Sequence, residues 1–261
     1  AGTFKNLSVD DILARDNKMG FRIDRDAGLD SLTIKDSHFD NNIYGFNGTI
    51  AANVQPSDNL KLTDVSITDT SFSNNTRKGF YTEKLDNATF TNVTVENSGT
   101  NTGANSDWNN VGFQLNLKGK AYSNIMLDNL TVTGSGVNAK NSGTAVSVVG
   151  YKWNDGSVSD VTLKNSTIKA AGNAGLGIGA SVDGMEVINN NALNGGKLLG
   201  PEAVVLWGGV RNVNIDNNDI VSLGTSSRGP EYGAGIFESG DITLKNNDIN
   251  SPSIGIFAGR S

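Results

Sequence analysis

The chain has 261 residues, a formal net charge of −6 at pH 7, 32 glycines, 4 prolines, one histidine and no cysteine. That inventory excludes a disulfide scaffold, a cysteine-ligated metal and any multi-histidine metal centre, and it disfavours a Ser-His-Asp catalytic centre. The acidic balance argues against a nucleic-acid partner, and many glycines with few prolines suit short strands and turns rather than long helices.

Taken in chain order, one short pattern returns nine times. The first copy places apolar residues at Leu7 and Val9, an acidic residue at Asp11, an apolar one at Ala14 and a pair at Gly20-Phe21. The second reads Leu32, Ile34, Asp36, Phe39 and Gly45-Phe46; the third Val65, Ile67, Asp69, Phe72 and Gly79-Phe80. Ala88, Phe90, Asn92, Val95 and Gly112-Phe113 follow, then Ile125, Leu127, Asn129, Val132 and Ala145-Val146. The sixth copy is Val161, Leu163, Asn165, Ile168 and Gly175-Leu176; the seventh is Met185, Val187, Asn189, Ala192 and Ala203-Val204. The last two are Val213, Ile215, Asn217, Ile220, Gly235-Ile236 and Ile242, Leu244, Asn246, Ile249, Gly255-Ile256.

Each copy therefore predicts three short strands separated by turns. Three such strands cannot bury their apolar faces alone, whereas stacked copies can. The column four residues after each first apolar residue contains only Asp and Asn. These residues tolerate the left-handed backbone conformation, and the stack predicts an Asp/Asn ladder in which each side chain bonds to the backbone of the next turn.

The repeat resembles the right-handed parallel β-helix of the pectate-lyase superfamily over essentially the whole chain. The resemblance implies an all-β solenoid of about nine coils, with the Gly-Phe strand as the family's first strand. Residues 1–261 then form a single β-helix domain. No copy is preceded or followed by an amphipathic cap, so the reading expects flanking domains or partner subunits at the uncapped ends, within a larger protein. No stretch is long and apolar enough to insert in a membrane, and no signal peptide is visible.

Insertions in a solenoid fall in loops. Here the turn after the second strand keeps one length, while the connections around 97–111, 133–143 and 222–234 grow, as do those at 47–63 and 150–157. They flank the Gly-Phe face and would wall a groove. Alternation along those strands points Arg22, Asp24, Tyr44, Asn47, Thr49, Tyr81, Glu83, Gln114 and Asn116 outward in the N-terminal half. In the C-terminal half Val149, Val205, Trp207, Phe237 and Phe257 point outward; the three aromatics are expected to pack beneath a covering loop or a neighbouring domain. A polar, aromatic floor suits a polysaccharide, with Asp24, Asn47, Tyr81, Trp108, Gln114, Asn116 and Lys118 as contacts.

Within the superfamily, "YGFNGT" at 44–49 resembles the Tyr-Gly-Phe-Asp-Pro-His signature of the mannuronan C-5 epimerases. Tyr44, Gly45 and Phe46 match, whereas Asn47, Gly48 and Thr49 replace Asp, Pro and His. Glu83, one coil on, falls near the family's acidic partner. The resemblance implies proton chemistry by Tyr44 and Glu83. Lyase chemistry would instead need a cation and a base, for which Arg22, Lys78 and Lys118 are candidates. The paired aspartates and Gly-His-Gly of polygalacturonase-type hydrolases are absent.

His38 lies on the turn side of its coil and reads as a surface residue. The run "RIDRDAGLD" offers Asp24, Asp26 and Asp30 as oxygen ligands for Ca2+, the one cofactor the sequence suggests. Sequons at ladder positions such as Asn92, Asn129 and Asn165 leave no room for a glycan, which points to a bacterial, extracellular or cell-surface setting without N-glycosylation. The sequence supports a polysaccharide-directed module, of lyase or C-5 epimerase type if catalytic. The competing reading is a non-catalytic solenoid segment of an adhesin or tailspike.

Overall fold

The computed structural model of the protein describes residues 2–50, 61–101, 110–136, 143–151, 156–170, 172–224 and 231–260. These wind as a right-handed parallel β-helix. One nine-stranded sheet runs from Gly2–Asp10 to Ile242–Lys245, and a second from Met19–Ile23 to Ile254–Gly259. A six-stranded third sheet joins Thr94–Glu96 to Asp248–Asn250 and is extended by single bridges through Ser71 and His38 to Leu13. Each return to a parallel neighbour is a crossover, which right-twisted strands allow in one hand.

The registers place the predicted columns side by side. Leu7, Leu32, Val65, Ala88, Ile125, Val161, Met185, Val213 and Ile242 form one continuous row, with Val9 to Leu244 in the row beside it. Inside, Phe21, Phe46, Phe80 and Phe113 stack nearly parallel at 5.3, 4.5 and 4.7 Å between centroids. Phe39, Phe72 and Phe90 meet that column edge-on. Such stacked and edge contacts add to the apolar area removed from water.

The corners explain the Asp/Asn columns. All nine ladder residues, Asp11 through Asn246, have φ between 47° and 58°. The predicted bonding differs, however. Asn92 Nδ2 donates to Asp69 Oδ1 at 2.8 Å, Asn129 Nδ2 to Asn92 Oδ1 at 2.8 Å and Asn217 Nδ2 to Asn189 Oδ1 at 2.9 Å, all on the exposed surface. This outer ladder runs between side chains rather than to the backbone. With φ positive, the side chain leans out of the coil.

Two inner ladders do the backbone work. Asn42 and Asn75 accept from the N–H groups of Asn17 and Asn42 and donate to the carbonyls of Ala14 and Phe39; Ser98 continues the row. At another corner Asn190, Asn218 and Asn247 accept from the N–H groups of Ser166, Asn190 and Asn218. Buried backbone groups need partners, and these amides supply them where the coil bends away from its neighbours.

Two sequence expectations shift. Ala192 is not in the third-strand column: Leu198 pairs with Ile168 and Ile220, while residues 191–196 form an inserted turn with a 3-10 helix at Ala192–Asn194. The turn after the second strand therefore does lengthen once. Asn191 caps the short helix by accepting from the Asn194 N–H, and Gly195 ends it at φ 76°. In the eighth coil Ala234, not Ile236, aligns with Val204 and Ile256. The stretch "GAGIF" offers two equivalent Gly-apolar pairs two residues apart, and a period of two leaves them indistinguishable by pattern. A Cβ on Gly233 would lie 2.4 Å from Ile249 Cγ2 and 2.7 Å from the Gly255 carbonyl oxygen, so the tight corner selects Gly233.

Candidate functional site

The Gly-Phe sheet carries one outward row through Arg22, Asn47, Tyr81, Gln114 and Ser147, residues paired directly across neighbouring strands. At its centre the segment 77–84, "RKGFYTEK", follows the third coil's corner and supplies most of the charge. Tyr81 donates to Glu83 Oε1 at 2.6 Å, and the Lys118 ammonium group pairs with the same oxygen. The other carboxylate oxygen accepts from the Ile50 N–H at 2.8 Å. Asn116 Nδ2 donates to the Tyr81 hydroxyl at 3.2 Å. Lys78 Nζ stands 3.8 Å from the Tyr81 ring centroid.

Tyr81, Glu83 and Lys78 are all buried. Burial pushes the Lys78 amine down to about 7, partly opposed by the Glu83 charge and reinforced by Lys118 and Arg77. Burial, with Glu83 beside it, raises the Tyr81 phenol well above its usual range. At neutral pH the site thus holds an amine near the midpoint of its titration, present in both protonation states, and a phenol that keeps its proton. Lys118 also lies 5.0 Å from the Tyr151 ring centroid. The Gln114 side-chain oxygen is buried and has no hydrogen-bond partner among the described residues, and such an orphan costs about 1–3 kcal/mol unless water or a ligand meets it.

Of the residues expected from the sequence, Tyr81, Glu83, Asn116 and Lys118 form one contiguous network, with Asn47 and Gln114 flanking Tyr81. Tyr44 stands next to it: its hydroxyl accepts from Arg77 Nη1 at 2.9 Å, and the guanidinium sits 5.5 Å from its ring centroid. Arg22 lies at the exposed end of the row and is held by Asp24 at 2.7 Å. The Arg22 guanidinium and the Arg25 N–H keep the Asp24 carboxyl below its usual range, the backbone bond being the larger cause. Trp108 falls outside the described residues.

The expected Ca2+ ligands do not converge. Asp24 pairs with Arg22, Asp26 with Arg25 at 3.8 Å and Asp30 with Lys5 at 3.6 Å, each with its own cation. Among the described residues no group of three or more His, Cys, Asp or Glu could hold a metal. His38 is exposed, as expected, with Nδ1 2.8 Å from Ser71 Oγ; Ser71 in turn donates to Asp40. That order points the serine O–H toward the carboxylate rather than toward the imidazole, the opposite of an activated nucleophile.

Arg77 and Tyr151 were not foreseen. The signal available for Arg77 was the density of cations and aromatics in "TRKGFYTEK" at 76–84. Tyr151 had none, because only the stacking of its coil beside Lys118 brings the two together.

The class defined by this winding is the parallel β-helix. No family model matches the chain, and no curated protein does. Among solved structures it is similar to two Azotobacter vinelandii modules. The mannuronan C-5 epimerase AlgE4 A-module shares 16% identity at TM-score 0.39, covering 97% of this chain and 75% of that one. The AlgE6 A-module shares 14% at TM-score 0.34, covering 100% and 78%. QnrB1, a plasmid-mediated fluoroquinolone resistance protein, shares 11% at TM-score 0.27, covering 97% and 92%. The likeness lies in the course of the backbone and transfers no residue or activity. No helix among the described residues is long and apolar enough to cross a membrane.

Proposed function

We propose that this chain is an extracellular, polysaccharide-directed module that holds an acidic glycan against the Gly-Phe sheet and performs proton transfer on a uronate ring there, of lyase or C-5 epimerase type. The observation that carries the reading is local charge. In a protein of net charge −6, the cations Arg77 and Lys118 stand with the Lys78 amine beside one carboxylate, Glu83, on an outward row of sugar-compatible side chains. A cation-rich patch in an acidic protein selects an anion.

The chemistry follows from who is free to act. Both oxygens of Glu83 are occupied as acceptors, so its role is to orient Tyr81 and Lys118 rather than to remove a proton. The unprotonated Lys78 amine accepts the C5 proton of the uronate. Lys118, with Arg77 at the rim, balances the charge that develops on the substrate carboxylate. Tyr81, on the same floor as Lys78, then gives its phenolic proton to the departing O4 oxygen, which breaks the glycosidic bond and leaves a C4–C5 double bond; C5 inversion needs the proton returned from the ring's other face, by a group outside this pair. In this scheme Tyr44 and Arg22 bind substrate at the rim.

A second reading has its own support. The charges of the network satisfy one another, as they would in a structural polar cluster of an adhesin or tailspike solenoid. Incubation with alginate and polygalacturonate separates the two. Absorbance of unsaturated products, proton NMR of the C5 configuration and an electrophoretic mobility shift are followed together. Turnover lost in Lys78→Met and Tyr81→Phe supports the proposal. Silence in all three assays leaves the solenoid spacer.

A further inference from the structure

The C-terminal half of the same sheet is built differently. Outward positions there alternate between large aromatics and glycine: Gly177 and Gly179 on one strand, Trp207 on the next, then Gly235 with Phe237, and Phe257 with Gly259. None of these four glycines has the positive φ that would demand glycine for the backbone. What they provide is room. A Cβ on Gly179 would stand 2.3 Å from two atoms of the Trp207 indole, and one on Gly177 3.0 Å from a third. Likewise a Cβ on Gly235 would be 2.9 Å from the Phe237 ring and one on Gly259 2.8 Å from the Phe257 ring. Each ring therefore lies down on a glycine instead of standing off the sheet.

The result is a pavement. Phe237 and Phe257 have centroids 5.3 Å apart, and buried Tyr232 packs against both at 5.7 and 4.9 Å. Trp207 is 37% exposed, and the two phenylalanines are partly exposed. The expectation that these rings are covered is not met among the described residues.

We infer that Trp207, Phe237 and Phe257 form a stacking subsite for the C–H face of an uncharged, gluco-configured pyranose ring. Equatorial hydroxyls leave such a ring with two flat faces of axial C–H bonds, and these carry the partial positive charge that an aromatic face attracts. Size argues against a protein partner. Three partly exposed rings offer on the order of 200 Å² together, whereas a stable protein interface needs about 800 Å² on each side. Shape argues the same way, because a pavement set on glycine has neither knobs nor holes to interlock. Charge separates this subsite from the basic cluster, since none of its outward groups is ionisable. The inference extends the acidic-glycan reading to the other half of one sheet.

The probes are cellohexaose, which is neutral, and an oligogalacturonate of equal length, with binding followed by calorimetry and saturation-transfer NMR. Cellohexaose should bind with the strongest saturation on its axial ring protons. Trp207→Leu, which keeps apolar cover over Gly177 and Gly179, should weaken it about tenfold or more, and Trp207→Phe much less. Equal cellohexaose affinity in the wild type and Trp207→Leu overturns the inference. So does absence of cellohexaose binding beside salt-sensitive oligogalacturonate binding, an outcome that leaves the acidic-glycan reading standing. Cellohexaose binding that depends on Trp207, without oligogalacturonate binding, keeps the subsite and removes the acidic-glycan reading. If neither ligand binds, both fall.

Discussion

The Lys78 amine lies 3.8 Å from the centroid of the Tyr81 ring, buried with it in the floor of the Gly-Phe sheet. Placing an amine on an aromatic face in a dry site has consequences for stability as well as for chemistry.

The first concerns pH. Burial holds Lys78 down to about 7, against about 10.4 for an unfolded lysine. Between those values the unfolded chain binds the extra proton, so this group's contribution makes the protein more stable as pH rises. Below about 7 both states are protonated and the burial penalty is felt in full. Lys84, lowered to about 8 by burial, acts in the same direction. Urea denaturation between pH 6.5 and 9.5 should give Lys78→Met a flatter profile than the wild type, by on the order of 2–4 kcal/mol over the range. Parallel profiles would contradict the placement of Lys78.

Glu83 anchors Tyr81, Lys118 and the Ile50 N–H together. Glu83→Gln keeps the shape and removes the charge, which strands a largely buried ammonium group. A loss of about 3 kcal/mol is expected from denaturant midpoints at pH 7. The double variant with Lys118→Met should recover much of it; no recovery would mean that the pair is not coupled.

The inner and outer ladders predict opposite outcomes for the same residue type. Asn75→Ala removes the acceptor for the Asn42 N–H and the donor to the Phe39 carbonyl, leaving buried groups unpaired at a cost of about 2–4 kcal/mol. Asn92→Gly, on the exposed ladder at φ 55°, gives up surface bonds yet suits the left-handed backbone, so its change should stay within about 1 kcal/mol. Thermal and urea melts of the two variants test the distinction directly.

Phe80 sits in the stacked column between Phe46 and Phe113, with Phe72 and Phe90 against its edge. Phe80→Ala should cost about 3–5 kcal/mol, and Phe80→Leu clearly less. Because Phe80 directly precedes Tyr81, Phe80→Ala should also weaken glycan retention in the mobility-shift assay, whereas Phe39→Ala, which removes a ring packed against Phe21 and Phe72, should destabilise without that effect.

The sequence by itself determined the winding. Apolar residues at fixed offsets have nowhere to bury except against their own repeats, and Asp or Asn at a left-handed corner is a local backbone preference, so both are legible without coordinates. It also placed Tyr81, Glu83 and Lys118 on one face, since alternation along a strand is local. Tertiary structure alone decided what crosses between coils. Ile236 and Ala234 are equivalent by pattern, and only the fit of Gly233 against the next corner separates them; Leu198 takes the place expected for Ala192 because a turn is inserted at 191–196, which the fixed offset does not show. The same holds for the buried Asn42–Asn75 ladder, for Lys78 beneath Tyr81, and for rings laid flat on glycines. Each depends on a distance between residues more than twenty positions apart or on a side chain's tilt, and periodicity carries neither.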